Sequence, residues 1–284
     1  MFDPKRILFT GGSGLLGREV RKLLPDACYP TSAEFDVTNY EQMAAFVRAR
    51  TGERRAASGE QGAGNAEQSA KVSHDGAPSV PEAARESLLP RPCPWDVLVH
   101  AAAFTSPPKV DHDPDRAIRV NIAGTANVAR LCLAYRMKLV YISTDYVFRG
   151  DRGNYSEEDP VYPVNAYAWS KLGGECAARL VPGSLIIRTS FGPDVFPYPK
   201  AFVDQWTSRE PVSVIAGKLV DVLRCDISGV LHLGGPRRTV YEYAQAVSPD
   251  RPIGPLSIRD VPFAVPRDTS LNTERYERLC RDAR

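Results

Sequence analysis

The sequence lacks an excess of either charge: 36 lysines and arginines stand against 34 aspartates and glutamates, a formal net charge of +2. That balance gives no nucleic-acid signature and no attraction to an acidic membrane surface. It lacks an apolar run long enough to span a bilayer. The first residues lead straight into a strand pattern, so no signal peptide is expected. It also lacks any Cys-x-x-Cys and any clustering of cysteine with histidine. The six cysteines (Cys28, Cys93, Cys132, Cys176, Cys225, Cys280) are scattered, and in apolar surroundings a free thiol behaves as a small hydrophobe. No metal site is expected, and a reducing cytoplasm is the simplest setting. Between Thr51 and Pro94 apolar residues thin out, and Gly, Ala, Ser, Glu, Gln and Pro dominate. Such a stretch cannot offset the entropy of ordering, so residues 52–92 read as a disordered insertion. It joins a helix end to a strand start, which places it at the amino-terminal edge of a parallel sheet.

What remains is strongly patterned. Arg6-Ile-Leu-Phe-Thr10 is a compact strand, followed by Gly11-Gly-Ser13-Gly14-Leu15-Leu16-Gly17 and a helical pattern stopped by Pro25. Strand, glycine turn and helix together predict dinucleotide binding. Gly11 permits the tight turn, Gly14 lets the backbone approach a pyrophosphate, and Gly17 lets helix and strand pack closely. The free N–H groups of the helix start then face phosphates. Residues 27–30 predict a short second strand. It ends in Thr31-Ser32, without the acid that usually holds NAD ribose hydroxyls, and Arg18 is close behind the turn. This favours NADP(H), with NAD(H) as the alternative. Asp36-Val37 is placed against the adenine, and Thr38 to Glu41 reads as a capping box.

Residues 95–103 resume as a buried strand ending in Ala101, Ala102 and Ala103, small enough for a cofactor to pass close to the backbone. A helical pattern from Asp113 to Tyr135 contains Asn121 in an otherwise apolar stretch. A buried amide needs partners, so Asn121 is expected to bridge backbone groups near the active site. Next come a strand from Lys138 to Ser143, a helix opening at Asn165 and a strand from Ser184 to Ser190. A helix is expected over residues 200–209, then a partly helical stretch over 212–223, a last strand over 229–235, a cap at Thr239–Glu242 and a charged final helix. The βαβα order predicts a Rossmann-type α/β fold, a doubly wound parallel sheet with a small C-terminal substrate lobe. Residues 1–195 and 212–235 are assigned to the dinucleotide domain, and 196–211 with 236–284 to the lobe.

The chemistry concentrates between Tyr141 and Lys171. Thr144 ends a strand, and Tyr167 and Lys171 are four apart on a helix, hence on one face. An ammonium beside a phenol eases its ionisation, and such a pair can exchange a proton with a substrate oxygen.

With these residues in view, the chain resembles the extended short-chain dehydrogenase/reductase superfamily, and within it the dTDP-4-dehydrorhamnose reductase family. The resemblance rests on Thr10-Gly-Gly-Ser-Gly-Leu-Leu-Gly17, His100-Ala-Ala-Ala103, Asn121, Ile142-Ser-Thr-Asp-Tyr-Val-Phe148, Asn165-x-Tyr-x-x-Ser-Lys171, Gly174-Glu175 and Leu185-x-x-Arg-Thr-Ser190. It implies Thr144, Tyr167 and Lys171 as the catalytic trio, with Tyr167 the proton donor and Lys171 on the nicotinamide ribose. It also implies Asn121 near the active-site water chain, and Asp145 and Phe191 on the sugar nucleotide. The implied activity is NAD(P)H-dependent reduction of a keto group on a nucleotide-activated deoxysugar, and a homodimer is compatible with it. A non-catalytic NADP-binding regulatory subunit and an epimerase are the alternatives. A dehydratase is disfavoured, because Asp145 is followed by Tyr146 rather than a second acid. The sequence departs from the family at Pro107-Pro108-Lys109 and in the short, proline-rich segment after Ser190.

Overall fold

The computed structural model describes residues 2–51 and 93–282; the expected insertion lies outside the described residues. In chain order the elements are β1 (Ile7–Thr10), α1 (Leu15–Leu23), α2 (Tyr40–Arg48), β2 (Val97–His100), α3 (Pro107–His112), α4 (Pro114–Ala117), α5 (Gly124–Tyr135), β3 (Lys138–Ile142), α6 (Ala166–Ala178) and β4 (Leu185–Thr189). Four short strands follow: β5 (Phe191–Gly192), β6 (Lys200–Phe202), β7 (Trp206–Thr207) and β8 (Glu210–Pro211). The chain then runs through α7 (Val212–Leu223), β9 (Gly229–Leu233), β10 (Arg238–Thr239), α8 (Val240–Val247), β11 (Gly254–Leu256) and α9 (Glu274–Asp282).

Five strands form the central sheet in the order β1-β2-β3-β4-β9, and every pairing is parallel. Alternation along the strands divides the core in two. Leu8, Leu139, Tyr141 and Ile186 point to the face covered by α2, α5 and the end of α6. Ile7, Phe9, Val140, Ile142 and Ile187 point to the face covered by α1 and α7. A parallel sheet buried on both faces is the doubly wound fold expected.

Beyond β1 the predicted second strand is reduced to a single parallel bridge, Leu8 to Cys28, which Pro30 does not allow to extend. The chain therefore leaves β1 toward Cys28 and returns on the other side as β2. That reversal opens a crevice at the carboxyl ends of β1 and β2.

Three local expectations are corrected. The start of α2 is capped by Asn39, whose side chain accepts from the Gln42 N–H, while Thr38 turns back onto Asp36; the Thr38–Glu41 capping box is absent. The helix expected over 200–209 is instead extended chain. Pro197 and Pro199 feed an extended run, β6 pairs with β11, and the Asp204 carboxylate is taken by Ser257 and the Ile258 N–H. The helix from Asp113 is interrupted by a π turn at Ile118–Ala123. Phe196, Ala201, Val240, Tyr243 and Ala244 form a small separate core beside α8. Among the described residues, no helix is long and apolar enough to cross a membrane.

Candidate active site

The glycine turn sits at the crevice. Gly11 has φ +77°, and a Cβ there would lie 2.7 Å from the Ala102 nitrogen. A Cβ on Gly17 would lie 2.3 Å from the Gly11 carbonyl oxygen, so glycine is required at both positions for the turn to close on β2 and α1. Gly14 caps α1 without a side-chain bond, and the first N–H groups of the helix remain available to an anion. A narrow, side-chain-free turn leading to an uncapped helix fits a dinucleotide pyrophosphate.

A cavity of about 540 Å³ runs from this turn to the helix α6. Gly11, Gly14, Leu15, Leu16 and Gly17 line one end, with Ala101 and Ala103 beside them. Thr144, Asp145, Tyr167, Lys171 and Phe191 line the other. Six predicted residues stand elsewhere. Ser13 and Arg18 are exposed on the outer side of the turn, and Ala102 packs into the core. Val37 is buried, its carbonyl accepting from Asn127, with Asp36 adjoining it. Asn121 supports the site from behind. It lies in the π turn, a geometry frequent at functional sites, and clamps Phe104 by accepting from its N–H (2.7 Å) and donating to its carbonyl (2.9 Å). The same amide donates to the Ser170 hydroxyl at 2.8 Å. It thus bridges backbone as expected and also holds α6.

Asn165 starts α6 by accepting from the Ala168 N–H, which sets Tyr167 and Lys171 one turn apart. The Lys171 ammonium donates to the Ile142 carbonyl at 2.8 Å and lies over the Tyr141 ring. Burial pushes its pKa down to about 7, with Glu175 opposing. Burial likewise pushes the Tyr167 phenol up, against the Thr144 hydroxyl and the Arg209 charge. The groups favouring the phenolate are therefore Thr144 and Arg209, where the sequence pointed to Lys171. Tyr146 packs edge-on to Tyr167, and its hydroxyl accepts from Gln205 at 2.7 Å.

Three features were given no role by the sequence, although His100, Glu175 and Arg188 stand within motifs of the resemblance. Arg209 lines the cavity, and its buried Nε has no hydrogen-bond partner; its segment had been read as helix, which hid its direction. His100 bridges the hydroxyls of Thr10 (2.8 Å) and Thr125 (3.1 Å), and burial holds its pKa at about 3, so it is a neutral strut. Glu175 accepts from Ser143 and pairs with Arg188 beneath the strand end. Among the described residues, no cluster of His, Cys, Asp or Glu could hold a metal ion.

A doubly wound sheet with a glycine turn at its switch point and a Thr/Tyr/Lys set at the end of β3 is the arrangement expected of the short-chain dehydrogenase type. Residues 80–219 match the RmlD substrate binding domain family. The chain is 28% identical over 309 residues to the methionine adenosyltransferase 2 subunit beta of Pongo abelii, covering 97% of the chain and 82% of that protein. It is 27% identical over 223 residues to a dTDP-4-dehydrorhamnose reductase of Aggregatibacter actinomycetemcomitans, covering 75% of the chain and 61% of that enzyme. The dTDP-4-dehydrorhamnose reductase of Bacillus anthracis, solved in complex with NADP, shares the fold with a TM-score of 0.73 at 21% identity, over 98% of this chain and 92% of that one. The chain is thus similar to the RmlD substrate binding domain family over residues 80–219 and shares the fold of solved dTDP-4-dehydrorhamnose reductases.

Proposed function

We propose that the chain is an NADPH-dependent reductase of a keto group on a nucleotide-activated deoxysugar. The observation that carries this reading is the single cavity in which Thr144, Tyr167 and Lys171 face the glycine turn while Arg209 enters without a bonded counter-ion. The glycine turn and the start of α1 would hold the dinucleotide pyrophosphate, and Lys171 its nicotinamide ribose. When bound, the dinucleotide supplies the hydride. Tyr167 supplies the proton: burial keeps it on the phenol until a substrate oxygen gains negative charge. Thr144 presents a hydroxyl beside that oxygen. Asp145 and Phe191 flank the sugar, and Arg209 meets the negative charge of the diphosphate. We assign residues 196–211 and 236–284 to the substrate lobe.

NADPH is the favoured cofactor. No side-chain acid stands at Thr31-Ser32, although Glu34 folds back to accept from the Thr31 N–H and hydroxyl. Arg50 offsets its charge, and two further cations stand on α1: Arg18, exposed on its first turn, and Arg21, stacked over Tyr29. Purified protein should oxidise NADPH with a dTDP-4-keto-6-deoxy sugar and use NADH less well. Tyr167→Phe should abolish the reaction while NADPH still binds; turnover that survives the substitution removes Tyr167 from the mechanism.

The similarity to methionine adenosyltransferase beta subunits spans 97% of the chain and favours a second reading, a dinucleotide-binding subunit without turnover. Tight NADPH binding, no oxidation across a panel of keto sugar nucleotides, and association with a methionine adenosyltransferase catalytic chain would support it over the first.

A further inference from the structure

Residues 267–271 pass beneath the catalytic end of β3. Main-chain bonds tie them on two sides. The Asp268 N–H donates to Gly150 and the Tyr155 N–H to Ser270; opposite, the Trp206 N–H donates to Arg267 and the Thr269 N–H to Trp206. Thr269 at the centre is 0% exposed. Its hydroxyl donates to Asp145 Oδ2 at 2.6 Å. The other carboxylate oxygen, Oδ1, accepts from the Thr144 hydroxyl at 3.1 Å. One carboxylate thus links the far end of the chain to the hydroxyl beside Tyr167.

The carboxylate rests on hydroxyls. Thr207 approaches Oδ2 at 3.5 Å, beyond Thr269, and itself leans on Ser190 at 3.3 Å. The charged and titratable groups that face Asp145 are Arg209, Tyr146 and Tyr167, and no ion pair holds the carboxylate among the described residues. Thr269 makes the shortest of these contacts, so it fixes which oxygen turns toward Thr144. With Oδ1 so turned, the Thr144 proton points at Asp145. The Thr144 oxygen accepts from the Tyr146 N–H at 3.2 Å, and its hydroxyl is also within hydrogen-bonding reach of Tyr167. Were the carboxylate to rotate, the Thr144 proton would no longer be shared with Asp145 and would be free to swing wholly toward Tyr167.

We propose that Thr269 is a positioning residue of the active site, which by holding Asp145 sets the hydrogen-bond direction of the Thr144 hydroxyl. This rests on the reductase reading for its catalytic consequence, though not for the link itself. The test compares the full-length wild type with Thr269→Val, which keeps the shape and removes the hydroxyl, and Thr269→Ser, which restores it. The Asp145 carboxyl is followed by NMR of protein labelled with 13C-aspartate, its signal assigned by Asp145→Asn.

In Thr269→Val the Asp145 titration should move up by about one pH unit, because a donor to the ionised form is lost. The kcat for keto sugar reduction should fall roughly tenfold, with KM for NADPH unchanged. Thr269→Ser should recover both. An unmoved Asp145 titration in Thr269→Val overturns the proposal. So does a kcat that stays at the wild-type value, or a loss that Thr269→Ser does not restore. If the wild type reduces no keto sugar nucleotide, the reductase reading alone fails, and the Asp145 titrations still decide the Thr269 link.

Discussion

Glu175 and Arg188 meet at 2.6 Å with side chains 1% and 2% exposed. Arg188 is the largest of the fully buried side chains among the described residues, so a charge of each sign lies inside the protein directly under the carboxyl end of β3. Burial pushes the Glu175 carboxyl up, but Arg188, Arg179 and Ser143 outweigh it and leave it below the ordinary carboxylate range.

Glu175→Gln should therefore be strongly destabilising. It leaves Arg188 desolvated without a counter-charge, at a cost of about 3–5 kcal/mol, or roughly 10 °C in Tm for a chain of this size. Because the folded-state pKa of Glu175 is depressed, the pair contributes stability above the ordinary carboxylate pKa and loses it as pH falls through the lower folded value. Thermal melts from pH 7 downward should show a steeper acid limb for the wild type than for Glu175→Gln.

Lys171 gives a slope of the same sign in a higher pH window. Its folded pKa of about 7 lies below the ordinary lysine value of 10.5. Between these values the unfolded chain binds more protons than the folded one, so stability from this group rises with pH across that window. Below pH 7 both states are protonated and the penalty is constant. Melting curves of the protein without cofactor should shift upward between pH 7 and about pH 9.5, before tyrosines begin to titrate in the unfolded chain. Lys171→Met should flatten that rise. An equal rise in the variant would assign it to another group.

The fold and the trio were legible because they repeat along the chain. β1, β2, β3 and β4 are short apolar runs, and parallel strands buried on both faces must be apolar throughout. Asn165 both caps α6 and fixes the phase of Tyr167 and Lys171, so a local signal located two side chains that line the cavity. Legibility ended where long-range contacts decide. Residues 200–209 contain enough helix formers to suggest a helix, yet Ala201 is buried against β11 and Asp204 against Ser257, pairings some 50 residues distant. Arg209 was hidden by the same misreading. Thr269 was hidden because its partner, Asp145, is 124 residues away.

The glycines of the fold separate by what a methyl group would strike. Gly17→Ala places Cβ within 2.3 Å of the Gly11 carbonyl, a rigid backbone atom, so the turn must open. NADPH affinity should fall at least tenfold, as read by nicotinamide fluorescence, and Tm should drop. Gly217→Ala is the control. That position lies in α7 with nothing within 4 Å of the new methyl group. Substitution there should raise stability by about 0.5–1 kcal/mol through helix propensity and the unfolded state, with NADPH binding unchanged.

Arg209 distinguishes a substrate with a diphosphate from a neutral one. Its nearest acid in sequence, Glu210, is already paired with Arg238 at 3.2 Å. The Arg209 carbonyl accepts from Arg238 at 3.0 Å and the Glu210 N–H donates to Ser190 at 3.1 Å, so the backbone at this point is fixed. The side chain nevertheless enters the cavity with a buried Nε that no protein group meets. A half-buried guanidinium whose Nε has no partner is left short of a bond, and the ligand that supplies an anion recovers a charge-assisted one. Arg209→Gln should raise KM for a dTDP-4-keto sugar on the order of ten- to a hundredfold, the loss of one or two such bonds, and leave NADPH affinity as it was. Calorimetry with dTDP on the NADP-loaded protein should show the same loss without any turnover. Equal dTDP affinity in wild type and Arg209→Gln would mean that the diphosphate binds elsewhere and that Arg209 faces another part of the substrate.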